Sequence, residues 1–520
     1  MKIKTITLKN FRSYEKETKI DFEDLTVLVG KNDAGKSTIL EALDIFFNDN
    51  KGTIKLDKED INVNCKSKDD LETIISVAFT DLPEKIVIDS TVYTSLENEY
   101  LLNENNELEI IKKFSNGGNA KVFIRANHPT NSNCSDLLLK KHGDLKKIVK
   151  NNGIESENYT TNSILRKAIW NFYKDDLQLD SVEIDASKAD AKQIWEKLRI
   201  FMPVYTLFQS DRANNDNDSE VQDPLKEAVK VILSDHEIQK TLNEVSNKVQ
   251  DKLRSVAERT LNKLEEVDED IATELKPEIP DSDKLKWQDV FKSVSISGDN
   301  NIPINKRGSG VKRLILMSFF RGEAERLAEE GGSSGIIYAI EEPETSQHNN
   351  NQKILIEAFQ NMSKNKGVQV LLTTHSAYMV KQLEFKDIRI IGKDLYSNKN
   401  ILDIGTARLN YPSLNEVNFL AFDEVNQEYH DELYSFIEFH NLKNEFFKDQ
   451  QKREYKRITK NNELKIEQKT LSEYIRHQIH HPENIENERF SLKELKTSIN
   501  LMRDFIKSKN ESGELVDPES

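Results

Sequence analysis

One segment constrains this chain more than any other: Gly30-Lys-Asn-Asp-Ala-Gly35-Lys36-Ser37. It fits G-x-x-x-x-G-K-[ST], follows the apolar run Leu25–Val29 and opens a helical stretch, Ser37–Phe47. The glycines let successive backbone N–H groups point at a phosphate, and the helix N-terminus adds partial positive charge. A loop of this kind belongs to an α/β core and takes a nucleoside triphosphate, so ATP and Mg²⁺ are the expected cofactors. Lys36 is expected to reach the β- and γ-phosphates and the Ser37 hydroxyl to hold Mg²⁺, with Gly30, Asn32, Asp33, Ala34, Gly35 and Thr38 forming the rest of the cradle.

A second element fits the first. The apolar run Ile336–Ile340 ends in Glu341-Glu342-Pro343-Glu344. At the C-terminal end of a strand, Glu341 can hold the Mg²⁺ water shell and Glu342 can orient or deprotonate an attacking water. Further on, Val368–Thr373 leads into Thr374-His375-Ser376. Continuous apolar runs of this type are read as buried parallel strands. The three strands then describe one sheet edge around one triphosphate, with His375 at it.

Arg307-Gly308-Ser309-Gly310-Val311 precedes a helical run and stands shortly before the paired carboxylates. In this order the motifs resemble those of the ABC-type ATPases, and more closely the RecF/SMC/OLD branch. Asn10-Phe11-Arg12 resembles that branch's N-terminal strand-loop, and GKNDAGKS with EEPETSQH resembles its OLD-like group. The signature reads RGSGV where the family has LSGGQ, and the first acid of the Walker B strand is Glu rather than Asp. The resemblance covers roughly residues 1–130 and 285–395. It implies that Arg12 belongs to the nucleotide site, and that Ser309 and Gly310 grip ATP bound to a neighbouring subunit, so that the protein works as a homodimer or higher oligomer. It is also similar to the ATPase subunits of anti-phage systems of the Septu, Gabija and PARIS type. That likeness implies a sensor and scaffold controlling a separate nuclease effector, triggered by nucleic acid or a phage protein.

The expected fold class is α/β, an ABC-type ATPase head with a split core and a helical insertion, followed by an all-helical C-terminal domain. The expected domains are residues 1–150 (N-terminal lobe), 151–284 (helical insertion or dimerisation arm), 285–409 (C-terminal lobe) and 410–520. Within the insertion, Ile238, Leu242, Val245, Val249 and Leu253 repeat at three and four, as in a coiled-coil arm or a helical hairpin. After about Asn410 the pattern reads as helical to the end, and the basic run Lys452–Lys465 as a solvated helix face. No apolar strand ending in Asp-x-Asp occurs in residues 396–520, which speaks against a Toprim nuclease there. Arg476 and His481 fit R-x4-H and resemble the site of HEPN ribonucleases, in which Arg holds a phosphate and His moves a proton. An intrinsic RNase is therefore the alternative to the scaffold, and a RecF/SMC-like DNA-repair ATPase the second.

Composition excludes other classes. Lys and Arg number 74 against 90 Asp and Glu, a net charge of −16, which is unlike a protein that coats nucleic acid. No apolar run approaches the roughly 20 residues of a membrane span, and the polar N-terminus has no signal-peptide core. Two cysteines, Cys65 and Cys134, cannot supply a disulfide framework or a four-ligand zinc site. The expected location is cytoplasmic.

Overall fold

The computed structural model describes residues 1–50, 54–84, 86–89, 92–208, 236–266, 275–278, 295–298, 335–345, 347–393, 399–402, 409, 411, 413–458, 463–512 and 515. The architecture is mixed α/β with a helical C-terminal region. Two compact units are present, residues 1–26 with 37–374, and residues 27–36 with 375–520.

In the first unit, KIKTITLK forms β1 (Lys2–Lys9), whose burial alternates except at Thr5 and Ile6, both buried beside a register shift against Glu72–Thr80. With β2 (Thr18–Asp21), β4 (Glu72–Thr80), β5 (Leu108–Ser115), β6 (Ala120–Pro129) and β7 (Leu179–Asp185) it makes an antiparallel sheet in the order β2-β1-β4-β5-β6-β7; β3 is Leu25–Val29. The β5–β6 turn falls at SNGGNA, where Asn116 (φ 51°) and Gly117 (φ 69°) both take left-handed backbone, as a tight hairpin demands. The same unit holds three parallel strands, β8 (Val204–Phe208), β9 (Ile336–Glu341) and β10 (Val368–Thr374), in that order. Every residue of β10 is buried, as the apolar run predicted. Helix α1 (Lys36–Phe47) follows the glycine loop, and α3 (Asn349–Ser363) follows β9.

The amphipathic repeat in the insertion is one 30-residue helix, α2 (His236–Glu265), about 45 Å long at 1.5 Å per residue. Residues 179–185 and 204–208, inside the stretch read from sequence as a helical insertion, are the strands β7 and β8. Residues 301–334, with Ser309, Gly310 and the helical run after them, lie outside the described residues.

In the second unit, residues 27–29 of β3 pair in parallel with β11 (Ile388–Lys393), and β12 (Lys399–Leu402) adds antiparallel to β11. After the short helix α4 (Ala377–Val380) comes a helical group: α5 (Leu414–Phe422), α6 (Gln427–Phe439), α7 (Leu471–His480) and α8 (Leu492–Glu511). Each of the four starts at a side-chain cap. Ser413 and Asn426 accept from the third helical N–H, and Thr470-x-x-Glu473 and Ser491-x-x-Glu494 form capping boxes. Their apolar faces meet in a core built on Tyr429, Leu433, Ile437, Ile475, Ile499 and Met502.

This C-terminal region is not helical throughout. The basic run is a β-hairpin, β13 (Lys452–Ile458) and β14 (Leu464–Thr470), paired in register from Lys452↔Thr470 to Ile458↔Leu464. Tyr455, Ile458 and Ile466 supply β propensity, and residues 459–463 lie between the strands.

His430 is fully buried in the helical core, with Nε2 2.9 Å from Ser498 Oγ. Burial, reinforced by the Arg476 charge, pushes its pKa down to about 3. The unfolded chain titrates near 6.5, so between these values it takes up a proton that the folded chain refuses. Stability therefore falls as pH falls through this window. Going from pH 7 to pH 4 should cost about 3 kcal/mol, at roughly 1.4 kcal/mol per pH unit. Urea unfolding followed by circular dichroism at both pH values should find at least that loss, and His430→Gln should make it smaller by about that amount. An equal acid sensitivity in the variant would refute the assignment.

Candidate nucleotide site

The glycine loop is shaped by residues that tolerate left-handed backbone. Gly30 has φ 153°, Asp33 60° and Gly35 97°. A Cβ on Gly30 would stand 2.4 Å from the Ile391 carbonyl oxygen, so β11 leaves room for glycine alone at the strand exit. Ala34 N–H donates to Lys31 O, closing the turn. Lys36 begins α1 and is only 4% exposed. Its Nζ donates to Gly30 O at 2.9 Å and Lys31 O at 3.0 Å, and lies 3.0 Å from His375 Nε2. Since an ammonium has donors only, the imidazole nitrogen accepts. Asn32 and Asp33 are exposed at the loop tip, while Ser37 and Thr38 are half-buried in the first helical turn. Glycine-permitted turns, a lysine inside the loop and a helix start fit a phosphate chain. Lys36 and Gly30 would hold it, and the bound Mg²⁺ would supply charge neutralisation at its oxygens.

His375 and Lys36 are 339 residues apart in sequence. His375 is followed by Ser376, whose Oγ caps α4 by accepting from Met379 N–H at 3.2 Å. Asn418 of α5 donates through Nδ2 to Ala377 O at 3.2 Å, and Lys381 pairs with Glu428 of α6. The loop lysine is thus joined through His375 and α4 to the helical C-terminal region within one compact unit.

The carboxylate strand end has its own geometry. Glu341 closes β9, and Glu342 follows it with φ 41°. A non-glycine residue held there is strained by about 1–3 kcal/mol, and such strain gathers at functional positions. Glu342 is held by its N–H, which donates to Thr373 O and Thr373 Oγ1, both at 3.2 Å, and by its carbonyl, which accepts from Thr345. Two residues not singled out in the sequence stand beside these. Glu344 is buried and accepts from Thr374 Oγ1 at 2.8 Å, fixing β9 to β10. Tyr205 of β8 donates to Leu40 O of α1 at 2.6 Å, and burial, with the charges of Asp44 and Glu341, pushes its phenol pKa far up. The third acid of EEPE was a visible signal for Glu344; nothing local marked Tyr205.

Arg12 takes left-handed backbone (φ 48°), and its guanidinium is clamped between Glu41 of α1 and Asp60, with Nε 2.7 Å from Asp60 Oδ1. It therefore braces the N-terminal strand-loop against α1.

Arg476 and His481 are both on the surface and share no partner among the described residues. Arg476 approaches Glu438 at 3.5 Å and Asp431 at 3.7 Å, and lies over the Tyr434 ring. Its i+4 neighbour His480 meets the same Asp431 at 2.9 Å. His481 is the C-cap, out of helical geometry as the following Pro482 requires, and pairs with Glu483 at 3.1 Å. Its ring stacks toward His477, which lies on Tyr455.

A family model described as AAA ATPase domain matches residues 1–380. Endonuclease GajA of Bacillus cereus (strain HuB5-5) is 25% identical over 412 residues, 73% of this chain and 56% of that protein. The chain thus spans just over half the length of that relative. An ATP/GTP phosphatase of Helicobacter pylori (strain ATCC 700392 / 26695) is 25% identical over 387 residues, 74% of this chain and 87% of the relative. Among solved structures, an SmcHead bound to the C-winged helix domain of ScpA aligns with 77% of this chain and 98% of its own at 13% identity, with a TM-score of 0.39. No helix among the described residues is long and apolar enough to cross a membrane. With the glycine loop, its buried lysine and the matched family model in view, the chain belongs to the AAA ATPase domain family and is an ATPase.

Proposed function

We propose that this ATPase is the sensor and scaffold subunit of an anti-phage system, and that its nucleotide state controls a separate nuclease effector. The observation that carries the reading is the connection of Lys36 through His375 and Ala377 to Asn418, in the unit that contains the helical C-terminal region. A phosphate chain would compete with Gly30 O, Lys31 O and His375 for the Lys36 ammonium. Any shift of His375 is then passed to α4 and α5, where an effector can read it.

In this proposal Ser37 and Glu341 hold Mg²⁺, Glu342 activates water, and Arg12 keeps α1 in place. Ser309 and Gly310 complete the site of a neighbouring copy, making a homodimer or higher oligomer. The relative named Endonuclease GajA supports a link to nuclease action. The pairing of Arg476 with Asp431 and Glu438 supports placing the nuclease outside this C-terminal region, because those carboxylates compete with an RNA phosphate.

Asn418→Ala tests the connection. It should leave ATP turnover within about twofold while abolishing ATP-dependent retention of the neighbouring-gene product in co-purification, together with protection from phage. The reading fails if Asn418→Ala retains full protection, or if the purified chain alone degrades RNA and His481→Ala abolishes that activity.

A further inference from the structure

The hairpin of β13 and β14 is chemically unlike the rest of the chain. From Lys452 to Thr470 it carries seven basic residues (Lys452, Arg453, Lys456, Arg457, Lys460, Lys465, Lys469) and three acidic ones (Glu454, Glu463, Glu467), a net charge of +4 within a chain of −16. Among the described residues the ribbon is anchored from the Lys452–Thr470 end as far as Lys456. There Tyr455 is 1% exposed, Arg453 stacks over Tyr474 of α7 at 3.5 Å, and Thr470 caps α7. At the other end Ile458, Leu464 and Ile466 are 40%, 54% and 57% exposed.

The register sorts these side chains. Lys452, Glu454, Lys456, Ile458, Leu464 and Ile466 share one face, with Lys456 opposite Ile466 and Ile458 opposite Leu464. On the other face Arg457 and Lys469 are both tied to Glu467, and Lys465 stands opposite Arg457. Lys452, Lys456 and Lys465 have no carboxylate partner among the described residues. The outer edge of β13 is closed, because Asn484 and Asn487 both donate to Lys456 O at 2.8 Å and Lys456 N–H donates to Asn487. Strand addition by a protein partner is thus blocked at Lys456 on that edge.

We infer that this ribbon is a binding element for duplex DNA. A two-stranded ribbon, about 23 Å long at seven residues per strand, is of a size that enters the major groove of B-form DNA. The lysines would reach phosphates on the groove walls, and the aliphatic tip would meet thymine methyls and sugar edges. The deep, narrow major groove of A-form RNA would exclude it. The inference is independent of the ATP site and of the effector proposed above.

The test uses the full chain, a mixed-sequence duplex of about 30 base pairs, and fluorescence anisotropy across salt concentrations. Three phosphate contacts contribute a slope of about 2.7 in log affinity against log salt. K452A/K456A/K465A should lose that slope, so that the affinity drop between 50 and 200 mM salt shrinks by about 40-fold. The corresponding triple arginine variant should keep it. Ile466→Ser should weaken binding at every salt concentration with the slope unchanged. All these variants should retain the parental ATP turnover and thermal midpoint. No binding of the duplex, an unchanged slope in the triple alanine variant, or equal affinity for duplex RNA would overturn the assignment. So would poly-glutamate binding that the triple alanine variant alone loses while its DNA binding persists, since the face would then belong to an acidic protein.

Discussion

Lys36→Ala is expected to lower ATP turnover by at least about 100-fold, the loss typical when one preorganised charge is removed from a transition state dominated by electrostatics. The ammonium is nearly buried within the loop it would share with the phosphates, so no solvent cation can take its place. The substitution also leaves Gly30 O without its Lys36 donor, at about 1–3 kcal/mol for a buried acceptor left unmade, while Lys31 O keeps the Ala34 N–H. A circular dichroism melt must therefore accompany the assay. A folded variant that neither binds nor hydrolyses ATP supports the site, and one that turns over at the parental rate removes Lys36 from it.

Glu342→Gln should have the opposite consequence for binding. The amide keeps the size and hydrogen bonding of the side chain but cannot accept a proton from water, so turnover should fall by about 100-fold or more while ATP still binds. The backbone hold on Glu342, from Thr373 and Thr345, does not depend on the carboxylate. The strained φ of 41° should persist, and the variant should fold normally. In the proposed assembly, ATP that is bound and not cleaved should hold neighbouring copies together. Gel filtration with ATP should then find a larger species for Glu342→Gln than for Lys36→Ala. Parental turnover in Glu342→Gln would assign the water-activating role elsewhere.

The parts legible in the sequence were those in which local chemistry dictates structure. LTVLV and VQVLLTT are buried strands because Leu and Val dominate them on both faces, and the glycine at position 30 marks a strand exit with no room for a Cβ. The capping boxes at Thr470 and Ser491 are likewise local signals. The rest depended on partners far away in the chain. β7 is a mostly exposed strand, DSVEID preceded by Leu179, held by its pairing with β6 and the Glu183–Lys113 ion pair. The hairpin at 452–470 reads as a charged helix face because only Tyr455 and Thr470 are buried, too few to set an alternating pattern. The R-x4-H spacing was legible, but helical geometry sends His480, not His481, to the carboxylate that Arg476 approaches. The contact of His375 with Lys36, and those of Tyr205 and Glu344 with α1 and β10, form only on folding.

Hydrogen exchange with and without ATP tests the central claim most directly, that nucleotide at the glycine loop is felt in the helical C-terminal region. In the parental protein, ATP should change the exchange of Ala377–Val380 and Leu414–Phe422 as well as that of the loop itself. Asn418→Ala should keep the change at the loop and lose it in Leu414–Phe422. ATP that alters exchange at the loop and nowhere in Ala377–Val380 or Leu414–Phe422 of the parental protein would contradict the account.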